Sequence, residues 1–272
     1  MESRIAAVFH KLKSNQQMAF MPFITAGDPD LEGTKNVLKE LSSKDVDLIE
    51  IGFPYSDPIA DGPVIQASYT RAFDAKVSVP QIFAAIKDLK DENLPPMVAM
   101  VSYAIVFRVD VDQFLTHCNE AGISGLIIPD LPGSEAAEVF KQVRAKGLDL
   151  IQLVAPTTPR SRVKEILQSC SGFVYCIAVS GITGERQNVA DALLEQLKWL
   201  REETSLPLAV GFGISQPEHV DPLRGLADGV IVGSAIVREF QKMADGEATS
   251  GGLLESIGAF AESMNSAAHV SN

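Results

Sequence analysis

Cysteine is scarce: Cys118, Cys170 and Cys176 are the only three in 272 residues. An odd number without framework spacing excludes a disulfide-stapled fold, and a cytoplasmic, reducing location is expected. Each thiol sits in an apolar or helical stretch and reads as a small hydrophobe. Long apolar runs are also missing, and none nears the roughly 18 residues that cross a bilayer. The N-terminal "MESRIAAVFHKLKSN" has neither the apolar centre nor the small-residue cleavage site of a secretion signal. Bases are outnumbered, 23 Lys and Arg against 35 Asp and Glu, for a formal net charge of −12. No basic stripe is present to neutralise nucleic-acid phosphates. The four histidines, His10, His117, His219 and His269, are scattered, unlike a clustered metal site. Walker A, dinucleotide and CxxC patterns are absent or incomplete; "GFGISQPEHV" lacks the third glycine.

What is present is apolar bulk, 46% of residues, in short runs. They fall at 19–27, 47–53, 97–103, 125–130, 149–156, 172–180, 206–213 and 228–236. Most are near-continuously apolar rather than alternating, the mark of strands covered on both faces of a parallel sheet. Helical patterns separate them, at 30–44, 79–92, 110–122, 134–146, 160–169, 188–203, 216–226, 235–243 and 252–265. Pro80 suits a first helical turn and Gly122 a C-cap. Ile5, Val8, Phe9 and Leu12 recur at helical spacing, which predicts a short extra N-terminal helix. With no long linker or composition break, residues 1–272 are expected to form a single α/β domain, a (β/α)8 TIM barrel. A doubly wound open sheet is the alternative.

In such a barrel the chemistry lies where strands end and loops begin. Glu50 interrupts the apolar run "DLIEIGF", and Asp61 follows in the loop "PYSDPIADGP". No Arg or Lys lies in the nearby strand ends to pair with Glu50. Burial without a partner raises a carboxyl's pKa toward neutrality, the tuning a general acid–base group needs. Alone, Glu50 also fits a structural ion pair and Asp61 a turn cap. Late in the chain, "AVGFGIS" brings Gly213 and "IVGSAIV" brings Gly233 and Ser234 to the ends of the last two strands. Glycine lets backbone N–H groups approach an anion, and a helix N-terminus adds unpaired donors, so a phosphate cradle is expected. "SGITGER" offers Thr183 and Gly184 in a loop that could close over a ligand. No lysine falls at a strand end as a Schiff-base aldolase requires. The residue types leave acid–base chemistry on a phosphorylated small molecule.

The blocks "PFITAGDPD", "IEIGFPYSDPIADGPVIQAS", "GLIIPDLP", "APTTPRSR", "SGITGER", "VGFGIS" and "ADGVIVGSAIV" run in order from about residue 18 to 240. Together they resemble the tryptophan synthase alpha chain family. The resemblance implies a (β/α)8 barrel lyase that cleaves indole-3-glycerol phosphate to indole and glyceraldehyde 3-phosphate. It implies Glu50 as the proton-moving acid, Asp61 as the stabiliser of charge on the indole nitrogen, and Tyr175 as an active-site tyrosine. Gly184, Gly213, Gly233 and Ser234 match the phosphate cradle, and Phe23, Phe212 and Ile214 match the indole pocket and its neighbours. No cofactor is expected in this chain. Pyridoxal phosphate is expected only in a beta-chain partner, within an α2β2 tetramer.

Two positions depart from the family's pattern: Ile105 in "MVSYAIVFRVD" replaces a usual Asn, and Ser134-Glu135 replaces a usual acidic pair. A stand-alone lyase releasing free indole is therefore an alternative reading. A non-catalytic barrel that binds a phosphometabolite and activates a partner is another.

Overall fold

The structure, a computed structural model, describes residues 2–58, 61–177, 186–211 and 213–270, the side chains of 186–190 excepted. Eight strands close into a parallel barrel: β1 (Ala19–Thr25), β2 (Ile49–Gly52), β3 (Met97–Met100), β4 (Ile123–Ile127), β5 (Asp149–Val154), β6 (Val174–Ile177), β7 (Leu208–Gly211) and β8 (Gly229–Val232). Each pairs with the next, and β8 returns to β1. The sequence-predicted runs fall on these strands but overshoot them, because apolar character continues into the loops that build the site.

The helices are α1 (Arg4–Ser14), α2 (Leu31–Ser43), α3 (Pro63–Asp74), α4 (Val79–Lys87), α5 (Tyr103–Val109), α6 (Val111–Ala121), α7 (Gly133–Ala145), α8 (Arg160–Leu167), α9 (Arg186–Glu203), α10 (Ser234–Ala244) and α11 (Ser250–Ala268). Their ends carry expected caps. Asp30 accepts from Gly33 N at 2.6 Å at the start of α2, and Gly122 closes α6 in the left-handed region at φ 79°. Three elements differ from expectation. The helix read at 216–226 is instead two 3₁₀ turns, Pro217–His219 and Asp221–Leu223. Pro217, Pro222 and Gly225 interrupt any longer helix there. Two helices, α3 and α5, occupy stretches to which no helix was assigned, directly after the loop at 54–63 and the apolar run at 97–103.

Strand alternation sorts the core into two layers. Ile49, Ile51, Val154 and Val210 face outward under the helices. Met21, Phe23, Leu48, Val98, Ile127, Ile151, Phe173 and Ile231 fill the barrel interior. At the N-terminal end of the strands, α1 plugs this interior with buried Ile5, Phe9 and Leu12. The Phe9 ring lies 5.7 Å from that of Phe173. Phe9→Ala is expected to lower the unfolding free energy by about 3 kcal/mol in urea titration, while kcat stays within about twofold because the plug is at the far end from the site.

Candidate active site

The period of two along β2 decides where Glu50 points. Its neighbours Ile49 and Ile51 face the helices, so Glu50 shares the interior face with Leu48. Register sets its Cα against Phe23 on β1 and Val98 on β3, both apolar and buried. The side chain is 4% exposed, and neither carboxyl oxygen has a hydrogen-bond partner. No base pairs with it among the described residues. Burial, and secondarily the charge of Asp61, push its pKa up to about 8. At neutral pH Glu50 is therefore a protonated acid.

Asp61 lives in a different environment. Its backbone N–H donates to Pro58 O at 3.0 Å. Gln66 Nε2 donates to Pro58 O and Asp61 O at 3.1 and 2.8 Å, stapling the loop to α3. The Tyr55 hydroxyl donates to Asp61 Oδ2 at 3.0 Å. Burial raises the Asp61 pKa, and the Tyr55 hydrogen bond opposes it. One carboxyl is dry and unpartnered, the other hydrogen-bonded and partly exposed. Environments that differ in this way let two acids take opposite protonation states.

Tyr175 on β6 is buried at 4% exposure and faces the same space. Its phenol lies over Gly211, where any Cβ would collide with the ring. Gly211 thus makes room for Tyr175 rather than for an anion. Gly213 follows β7 with φ 81°, a conformation other residues rarely adopt. Gly233 caps α10, whose first residue is Ser234. A helix start leaves its first N–H groups without helical partners, and Ser234 and Ala235 of that turn line the cavity.

These groups enclose one cavity of about 330 Å³ at the C-terminal ends of the strands. Phe23, Glu50, Asp61, Tyr175, Gly213, Gly233 and Ser234 line it, with Ile65, Met100, Ile214 and Ile231 as apolar neighbours. Eight sequence-predicted residues, Ile214 included, are brought together. Thr183, Gly184 and Phe212 lie outside the described residues. A larger hollow of about 1060 Å³ at the other end of the barrel, beside α1, contains none of the predicted residues.

Sequence reading missed three polar groups here. Tyr55 orients Asp61, and its place six residues before that acid was the only cue. Arg238 lines the cavity from α10, one helical turn beyond Ser234, and i,i+4 spacing would have marked it. Tyr69 on α3 is buried beside the acids and belongs to a helix that was not predicted.

Fold and site together define a (β/α)8 barrel with a carboxyl pair and a helix N-terminus on one cavity at the C-terminal ends of its strands. Comparison with known proteins narrows that class. The family model for the tryptophan synthase alpha chain matches residues 9–269, and the chain belongs to that family. It is 42% identical to the tryptophan synthase alpha chain of Rhodopirellula baltica over 271 residues, covering 97% of this chain and 98% of that one. The solved tryptophan synthase subunit alpha of Legionella pneumophila superposes with a TM-score of 0.87 at 32% identity, covering 98% of each chain. A solved tryptophan synthase complex from Pyrococcus furiosus contains a chain with a TM-score of 0.80 at 32% identity, covering 91% of this chain and 98% of that one.

Proposed function

We propose that this chain cleaves indole-3-glycerol phosphate into indole and glyceraldehyde 3-phosphate, as the alpha subunit of tryptophan synthase in tryptophan biosynthesis. The observation that carries the reading is Glu50, buried with both oxygens unpaired, in the same cavity as Gly233 and Ser234. The phosphate rests on the N-terminus of α10 with Gly213, Gly233 and Ser234, joined by Thr183 and Gly184. The indole lies against the apolar wall, with Phe23 and Phe212. Binding energy from both ends holds the scissile bond near the acids.

Glu50, protonated at neutral pH, gives its proton to C3 of the indole. Positive charge develops on the ring nitrogen, and ionised Asp61 stabilises it. The Glu50 carboxylate then takes the proton of the glycerol hydroxyl next to C3. The carbonyl of the aldehyde forms, the carbon–carbon bond breaks, and its electron pair restores neutral indole. Glu50 ends protonated as it began. The balance closes on side-chain acids, so the chain needs no metal or organic cofactor for this half-reaction. Tyr175 borders the reacting centre.

A beta chain is the partner, in an α2β2 assembly, and pyridoxal phosphate belongs to that chain. The Pyrococcus furiosus complex supports a partnered state. A cytoplasmic location follows from the substrate and from the reduced cysteines. The second reading, a stand-alone lyase, draws on Ile105, which packs part-buried against the core from α5 instead of offering a polar group. Indole release by the purified chain separates the cases. Slow release accelerated by a beta chain is expected; fast release alone favours the stand-alone enzyme; no release under either condition overturns the proposal.

Ser234→Asp sets a carboxylate against the substrate phosphate. KM is expected to rise at least about tenfold through like-charge repulsion, with the fold intact by circular dichroism. An unchanged KM removes Ser234 from the cradle.

A further inference from the structure

The Tyr69 hydroxyl presents a problem of its own. Tyr69 is 1% exposed, yet its oxygen has no hydrogen-bond partner. A buried hydroxyl without a partner is costly and calls for a physical reason. The other buried unpaired side-chain atoms among the described residues, on Asp149, Gln196 and Asn265, lie elsewhere; Glu50 alone shares this end of the barrel.

Local geometry brings the two together. The Tyr69 oxygen lies over Gly52, 2.9 Å from where a Cβ would stand. Gly52 is two residues beyond Glu50 on β2, so both face the barrel interior. Gly52 thus leaves room for the Phe23 ring, which lies closer still, and for the Tyr69 phenol beside it. The Tyr69 ring packs against that of Tyr55 at 5.4 Å, while the Tyr55 hydroxyl is committed to Asp61. Tyr175 faces the cavity; Tyr69 does not line it, so its hydroxyl stays available whether or not ligand is bound. A protonated Glu50 makes little demand for a donor. A Glu50 carboxylate does, because a dry ionised carboxylate needs one.

We propose that Tyr69 is a positioning residue for this reaction: its hydroxyl donates a hydrogen bond to the Glu50 carboxylate once that side chain has given up its proton. The inference rests on the acid–base role of Glu50 proposed above. The hydrogen bond aims the carboxylate at the glycerol hydroxyl and stabilises the intermediate in which Glu50 is charged. Burial and the neighbouring acids keep the phenol itself protonated, so it remains a donor. The other ionisable groups facing this region are Asp61 and Tyr55 from the loop after β2, Tyr175 from β6 and Arg238 from α10, with Asp130 acting on Tyr55. On the flank of α3, Arg71 is engaged by Asp28. From β1 the neighbours are Phe23 and the neutral Thr25, whose hydroxyl is engaged by Ser68 at 2.6 Å, and from β3 Val98 and Met100 are apolar.

The test is Tyr69→Phe, which keeps the ring and removes only the hydroxyl. kcat is expected to fall about tenfold, the effect of one hydrogen bond to a charged group, with KM within about twofold. The alkaline limb of the kcat profile should move up by about one pH unit, because losing a donor disfavours the carboxylate. Unchanged kcat and limb overturn the inference. So does a lowered melting temperature with an unchanged limb, which marks a packing role only. Glu50→Gln, assayed in parallel, separates the two levels: an inactive Glu50→Gln beside a fully active Tyr69→Phe overturns the Tyr69 inference alone, whereas an active Glu50→Gln overturns the acid–base reading with it.

Discussion

Glu50→Gln is expected to lower kcat for indole release at least about a thousandfold, within the range for loss of a positioned general acid–base group. The amide keeps the shape of the side chain and removes the transferable proton. KM should change little, since the phosphate and indole contacts are untouched. The same variant carries a stability signature of opposite sign. In the unfolded chain Glu50 titrates near its ordinary value of 4.5; in the fold it titrates near 8. Between those values the folded state holds one more proton than the unfolded state, so wild-type stability falls as pH rises through that window. The Gln variant has no such term. Its unfolding free energy should match wild type near pH 4 and exceed it at pH 9 by an amount on the order of 5 kcal/mol. Urea titrations at the two pH values check this. Equal stability at both would place the acid in contact with water.

Asp61→Asn has the next largest expected effect, a loss of about a hundredfold or more in kcat, typical of removing charge stabilisation from a transition state. It also reaches Glu50. The charge of Asp61 is the second cause of the raised Glu50 pKa, after burial. Neutralising it should move the alkaline limb of the residual activity downward. The limb moves down here and up in Tyr69→Phe, so the two variants distinguish loss of a repelling charge from loss of a donor. An Asp61→Asn enzyme with full activity, or with an unmoved limb, would separate Asp61 from the chemistry.

The acid pair was legible in the sequence because physics makes it conspicuous. A carboxyl inside "DLIEIGF" contradicts the run around it, and near-continuous apolar strands imply a barrel whose loops lie at one end. Glu50 then follows from the alternation of β2, and Asp61 from its position in the next loop. That Gly213, Gly233 and Ser234 share the cavity was legible because they cluster where the last strands end. Tyr69 was not. Nineteen positions separate it from Glu50, and only α3 brings its hydroxyl over Gly52 at the end of that strand. That helix starts at Pro63, directly after a loop rich in turn residues, and the turn signals masked it. α5 was hidden in the opposite way: "YAIVFRV" is apolar enough to read as a strand end, and Asp130 fixes its start by accepting from Ser102 Oγ and Tyr103 N, both at 2.7 Å. At 216–226 the apolar spacing suggested a helix, and two prolines and a glycine outweighed it.

The most direct measurement is titration of the Glu50 carboxyl itself, by carbon-13 NMR of labelled protein with Glu50→Gln to assign the signal. A midpoint near 8 is expected, showing an acid held protonated by its dry surroundings at neutral pH. A midpoint between about 4 and 5, the ordinary range for a hydrated glutamate, would contradict it.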